Sequence, residues 1–144
     1  MQEYLKELSM IYIFSAFYAE AKNIIDHYGL KKEKSHETVR FDVFANDSIR
    51  LVITGVGEIN AAAAVSNIGG AYGIAPDDEI LNVGCGAGFG NETCLGSLFL
   101  GNKLTEQMTG RTFYPDMLMK TNLMECEIVT VIRVLNEGSD SVVY

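Results

Sequence analysis

The sequence predicts an α/β layered domain built on a mostly parallel, buried sheet, and three observations carry that prediction. Short apolar runs of strand length alternate with stretches of helical periodicity in the first half of the chain. Strand-like segments crowd the second half. Two of the apolar runs end in glycine-rich turns, Gly55–Gly57 and Gly84–Gly88, and strand ends of this kind are where open α/β sheets receive ligands.

Taken in order, Gln2–Ser9 reads as a short leading helix. Met10–Ser15 (MIYIFS) is a continuous apolar run rich in Ile and aromatic residues, the pattern of a buried strand. Tyr18–Tyr28 follows as a helix, with Ala19, Ile24, Ile25 and Tyr28 at helical intervals and Gly29 as its C-terminal stop. Lys31–Glu37 is a charged loop. Thr38–Ala45 and Ile49–Thr54 read as two strands about Asn46-Asp47, a hairpin-type turn. The tight Gly55–Gly57 turn opens an alanine-dense helix, Ile59–Ala71. Pro76-Asp77-Asp78 is a turn, and Glu79–Val83 is a strand running into Gly84-Cys85-Gly86-Ala87-Gly88. Gly96–Leu104 and Glu127–Leu135 read as further strands, Asn136–Asp140 as a turn and Ser141–Tyr144 as a last strand.

Composition narrows the function. A chain of 144 residues with no linker or repeat suits a single domain spanning 1–144, and an apolar fraction of 48% is enough to bury a core. A net charge of −8 with no basic stripe excludes nucleic acid as a partner, because such a surface repels phosphate backbones. Three cysteines (Cys85, Cys94 and Cys126) are odd in number and form no CxxC pair. They argue against a disulfide framework and for a reducing, cytoplasmic setting. Only His27 and His36 could join them around zinc, and neither sits at ligand spacing, so no metal is expected. The apolar run Met10–Ala19 is short and contains Ser15, so it is read as core rather than as a signal peptide or membrane span.

Four segments are able to carry chemistry. Thr54-Gly55-Val56-Gly57-Glu58-Ile59-Asn60 takes a strand through GxG into a helix, which brings backbone N–H groups close to a ligand. It lacks the third glycine of a dinucleotide fingerprint and the lysine of a P-loop, and Glu58 opposes a phosphate. A tight turn before a packed helix explains the same residues. Asn82–Gly90 crowds small residues at the end of a buried strand, leaving the backbone open to a flat base or a ribose. Glu20, just beyond the first strand among aromatic residues, is placed to act as a general base, although a solvated helix glutamate has the same pattern. Thr109–Leu118 mixes Arg111, aromatics and Asp116, which suits a substrate rim or an interface loop.

With these segments in this order, the chain resembles the nucleoside phosphorylase superfamily, and specifically its methylthioadenosine and adenosylhomocysteine nucleosidase branch. The residues that carry the resemblance are IYIFSAFYAEAKNII, ITGVGEINAAAAVS, ILNVGCGAGFG and LGSLFLGNKL, spanning Ile11 to Leu104. The resemblance implies a three-layer α/β/α sandwich with a central mixed, mostly parallel sheet. It implies N-glycosidic bond cleavage of a nucleoside without a cofactor. Glu20 falls at the position of the glutamate that deprotonates the attacking water. Phe17 falls at an apolar position near the ribose, and Gly55 and Gly57 on the glycine turn near the sugar and the nucleophile. Cys85, Gly86 and Ala87 fall on the segment that lines ribose and base, with Cys85 in place of the usual serine. Asn82 stands where related purine phosphorylases have an arginine for phosphate, and Glu20 stands where they have a phosphate loop. Both departures favour water over phosphate as the nucleophile.

The family continues with a Met-Glu ribose clamp and an aspartate that protonates the leaving base. This sequence ends at Val142-Val143-Tyr144, where that segment is expected to begin, so the chain reads as C-terminally truncated. Asp116 and Glu125 lie in contexts that do not match the missing groups. The leading expectation is a hydrolytic nucleosidase impaired by truncation. A phosphate-dependent phosphorylase and a non-catalytic nucleoside-binding module are the alternatives. Uncovered sheet surface, and the family's habit, predict a homo-oligomer.

Overall fold

The computed structural model describes residues 9–34, 37–88, 94–117 and 120–131. The expected leading helix, the turn at 136–140 and the last strand fall essentially outside these residues. The chain gathers into two compact units, Met1–Gly84 and Cys85–Tyr144.

In the first unit, β1 (Ile11–Ser15) leads to α1 (Tyr18–Tyr28). The helix ends where Gly29 takes the left-handed conformation at φ 61°, and the Gly29 and Leu30 N–H groups satisfy carbonyls of its last turn. Then come β2 (Lys31–Lys32), β3 (Asp42–Ala45) and β4 (Ile49–Ile53). Lys31–Glu37 was expected to be loop throughout. Instead Lys31 and Lys32 pair antiparallel with Ala45 and Phe44. The expected strand Thr38–Ala45 narrows to β3, because residues 38–41 are held by a side chain rather than by a neighbouring strand. Asn67 donates to the Thr38 carbonyl at 2.8 Å and accepts from the Arg40 N–H at 3.0 Å. The hairpin between β3 and β4 closes on Asn46, whose side-chain oxygen accepts the Ser48 and Ile49 N–H groups. The Gly55–Gly57 turn then leads into α2 (Glu58–Tyr72), and β5 (Glu79–Asn82) completes the unit.

The sheet order is β2-β3-β4-β1-β5. β1 runs parallel to both β4 and β5, while β3 is antiparallel to β4. Strand periodicity assigns the two faces. Tyr12, Phe14, Val43 and Val52 point to one side and pack with Ala64 and Ile68 of α2. Ile13, Ile49 and Leu51 point to the other and pack with Ala21 and Ile25 of α1. The two crossover helices therefore lie on opposite faces, which makes three layers. The buried line of α1 is Ala21–Ile25, with Ile24 partly covered, whereas Ala19 and Tyr28 face solvent. Small Ala21 lets the helix approach the sheet closely, which the expected Ala19–Tyr28 stripe would not.

A polar cluster sits at the far end of α2. The Arg50 guanidinium lies 3.8 Å from the Tyr72 ring centre and 5.6 Å from that of Tyr12, and pairs with Glu33 at 3.3 Å. The Tyr72 hydroxyl donates to Glu33. Burial, reinforced by that carboxylate, pushes the Tyr72 hydroxyl up to about 12.

The second unit is a three-stranded sheet of order β7-β6-β8, formed by β6 (Phe99–Glu106), β7 (Thr112–Phe113) and β8 (Met124–Thr130). β6 is parallel to β8 and antiparallel to β7. The register slips between Gly101 and Lys103. A Cβ on Gly101 would come within 2.5 Å of Ile128, so the glycine admits that side chain. Among the described residues no helix is long and apolar enough to cross a membrane.

Candidate active site

Three parallel strands, β4, β1 and β5, end side by side. Their ladder continues past the strands: Thr54 N–H donates to Ser15 O at 2.9 Å, Gly55 N–H to Ala16 O at 3.2 Å, and Val83 N–H to Phe14 O at 2.9 Å. The strand ends are thus tied into one rim, from which α1 and α2 depart. This is the crevice in which open α/β sheets bind ligands.

Glu20 stands at this rim, in the first turn of α1. Its Oε2 accepts from the Ser15 hydroxyl and from the Phe17 N–H, each at 3.3 Å. Phe17 is the N-cap of α1 and has no side-chain acceptor, so only the reciprocal arm of a capping box is present, the glutamate reaching back. The helix N-terminus gives a carboxylate a favourable field there. Gly84 passes alongside: a Cβ built on it would lie 3.9 Å from both Glu20 oxygens. The glycine keeps β5's exit bare next to the carboxylate.

The glycine turn closes the other side of the rim. Gly55 and Gly57 have φ of 79° and 97°, a region that favours glycine. Asn60 holds the turn by donating to the Val56 carbonyl at 2.6 Å, and a Cβ on Gly55 would meet that amide at 3.4 Å. Thr54 is buried, and its hydroxyl donates within the turn to Gly55 O at 2.7 Å. Apolar side chains stand open around the mouth: Phe17 is 53% exposed, Val56 60% and Ile59 86%.

The structure therefore brings Glu20, Phe17, Gly55 and Gly57 to one rim. Cys85, Gly86 and Ala87 begin the second unit, where Cys85 and Gly86 are exposed and Ala87 is half-buried. Ser15 is not among the site residues expected from the sequence, and Asn60 and Gly84 enter there only as parts of the two glycine segments. Ser15 had a signal, being the one small polar residue in a strand otherwise of isoleucine and aromatic residues. Asn60 and Gly84 had none beyond lying inside the quoted segments. A separate cleft of about 500 Å³ is lined by Lys32, Glu33, Arg40, Asp42, Tyr72 and their neighbours, and by none of the expected site residues. Its charges largely satisfy one another, Lys32 with Asp42 at 2.8 Å and Glu33 with Arg50 and Tyr72, so the strand rim is the better candidate.

No protein-family model and no curated protein sequence matches the chain. Solved structures do. A 5'-methylthioadenosine/S-adenosylhomocysteine nucleosidase from Neisseria meningitidis, in complex with methylthio-immucillin-A, is similar with a TM-score of 0.68 at 17% identity. The match covers 85% of this chain and 64% of that one. The Arabidopsis thaliana 5'-methylthioadenosine nucleosidase is similar with a TM-score of 0.72 at 17% identity, over 88% of this chain and 64% of that one. A futalosine hydrolase mutant of Helicobacter pylori gives 0.66 at 14% identity, over 90% and 70%. The chain thus spans about 64% of the length of the first two. At such identities the likeness establishes the fold. This chain carries the fold of the solved structures that it resembles, which are nucleosidases and a futalosine hydrolase.

Proposed function

We propose that the chain binds a nucleoside at the rim of β4, β1 and β5 and serves hydrolysis of its N-glycosidic bond, with Glu20 as the base that activates water. The observation that carries this reading is the Glu20 carboxylate, held by two donors at the strand ends beside the bare Gly84 backbone. In the proposed step water attacks the anomeric carbon and its proton passes to Glu20. The bond to the base breaks, and its electron pair leaves on the base nitrogen. Phe17, Gly55 and Gly57 would line the sugar side. Water is preferred to phosphate as nucleophile because Glu20 and Glu58 both stand at this rim and would oppose a phosphate. Within this sequence no residue is assigned to protonate the leaving base. Self-association belongs to the proposal, supported by β5 lying at the end of the first unit's sheet order with Ile80 exposed on it. A reducing, cytoplasmic setting belongs to the proposal as well, supported by the odd number of cysteines, three, and the lack of a CxxC pair in the sequence.

The test is base release from methylthioadenosine, adenosylhomocysteine and inosine, with and without phosphate, for the chain and for Glu20→Gln. Release without phosphate that Glu20→Gln removes would support the reading. Release that requires phosphate would replace it by a phosphorolytic one. A second reading, nucleoside binding without turnover, is favoured by one observation: Glu20 also closes the first turn of α1 through Phe17 N–H. Its mark is a ligand-induced rise in melting temperature with no base released. Neither release nor a thermal shift would overturn both readings.

A further inference from the structure

We propose that Ser15 is a positioning residue for Glu20: its buried hydroxyl fixes the carboxylate at the strand rim. The inference rests on the hydrolytic reading for its functional consequence, but its physical basis is separate. Strand alternation places Ile11, Ile13 and Ser15 in one row facing α1. The first two are apolar and pack toward that helix, and the third is a serine with 0% exposure. A hydroxyl withdrawn from water must find an acceptor or cost stability. Two lie within reach, Glu20 Oε2 at 3.3 Å and the Phe17 carbonyl at 3.5 Å. One proton serves one of them well, and the nearer, charged oxygen makes the stronger bond.

Ser15 is itself immobilised. Its carbonyl accepts the Thr54 N–H at 2.9 Å, so its backbone is pinned to the end of β4. The Phe17 N–H reaches the same carboxylate oxygen as the hydroxyl does. Two donors from the β1–α1 corner thus converge on Oε2 and select one rotamer of a side chain that otherwise has several. Phe17 N–H comes with any helix start. The hydroxyl is the contribution that sequence can remove.

The experiment compares Ser15→Ala and Ser15→Thr with the wild type, using phosphate-free base release from methylthioadenosine and the ¹³C carboxyl resonance of Glu20, assigned by its absence in Glu20→Gln. Ser15→Ala is expected to lower kcat about tenfold, the worth of one hydrogen bond to a charged group, with KM within about twofold. Ser15→Thr, which keeps the hydroxyl, is expected to restore most of that loss. The Glu20 resonance should shift in Ser15→Ala and return toward the wild-type position in Ser15→Thr. A Glu20 resonance unmoved in Ser15→Ala overturns the assignment, as does a loss carried entirely by KM. The resonance needs no turnover. Equal activity of Glu20→Gln and wild type would instead defeat the hydrolytic reading and leave the Ser15 contact to be judged by the spectrum.

Discussion

Replacing Gly84 by valine should silence Glu20 without unfolding the chain. Gly84 is absent from the glycines with positive φ, so its backbone accepts any L residue. A Cβ there meets Glu20 Oε1 and Oε2 at 3.9 Å, an ordinary van der Waals contact, and Gly84 itself is exposed. Each valine methyl extends ~1.5 Å beyond that Cβ, into the space in which a water would sit about 2.8 Å from the carboxylate. Denying the base its water should cost about 10²–10⁴ in kcat/KM, or ~3–5 kcal/mol in the barrier. Folding should hardly notice: an exposed substitution changes stability by roughly 0.5 kcal/mol, and loss of glycine's freedom in the unfolded chain offsets part of that. The assay is base release and thermal unfolding measured in parallel on wild type, Gly84→Ala and Gly84→Val. Alanine, which adds the Cβ alone, should fall between. Wild-type release by Gly84→Val would refute the geometry assigned to the rim. So would a fall in melting temperature of many degrees, since it would mean that the space beside Glu20 is occupied.

Two further predictions concern the scaffold. Ile68→Ala should destabilise the first unit by about 2–5 kcal/mol in urea unfolding, because Ile68 is wholly buried between α2 and the Tyr12–Phe14–Val52 face. A loss under 1 kcal/mol would mean that α2 is not seated as described. Tyr72 supplies a pH test. Its hydroxyl is raised from 10.0 to about 12, so the folded state holds that proton more tightly than the unfolded one. Its stabilising contribution is complete below pH 10 and is lost as pH rises through about 12. Tyr72→Phe should therefore lose stability less steeply than the wild type between those pH values, as read by denaturation at several pH values. Parallel curves would show that the Tyr72–Glu33 contact does not survive in solution.

The parts of the fold legible in sequence were those set by local chemistry. The bounds of α1 were met at both ends, because Gly29 supplies the left-handed turn that stops it. The hairpin at Asn46 was legible because the asparagine side chain accepts two N–H groups of the turn. β2 was not, since two exposed lysines carry no strand pattern and their pairing depends on Phe44 and Ala45, twelve or more residues away. β7 is likewise two residues within a segment read as a rim or interface loop. β8 begins at Met124, three residues before the strand expected from Glu127, because Met124–Cys126 are defined by pairing with Phe99–Gly101. At the site, the glycine turns, Gly84 among them, and the carboxylate stood out, whereas the contact of Ser15 with Glu20 and the closeness of Gly84 to it appear only when β1, α1 and β5 are brought together. Conformational demand shows in sequence; proximity does not.

The most direct test of the central claim is phosphate-free release of adenine from methylthioadenosine by the wild-type chain and by Glu20→Gln, with equal folded fractions verified by thermal unfolding. Release by the wild type and a fall of at least about a hundredfold in Glu20→Gln are the predicted result. Release at the same rate by both proteins would remove Glu20 from the chemistry and, with it, the hydrolytic reading of the strand rim.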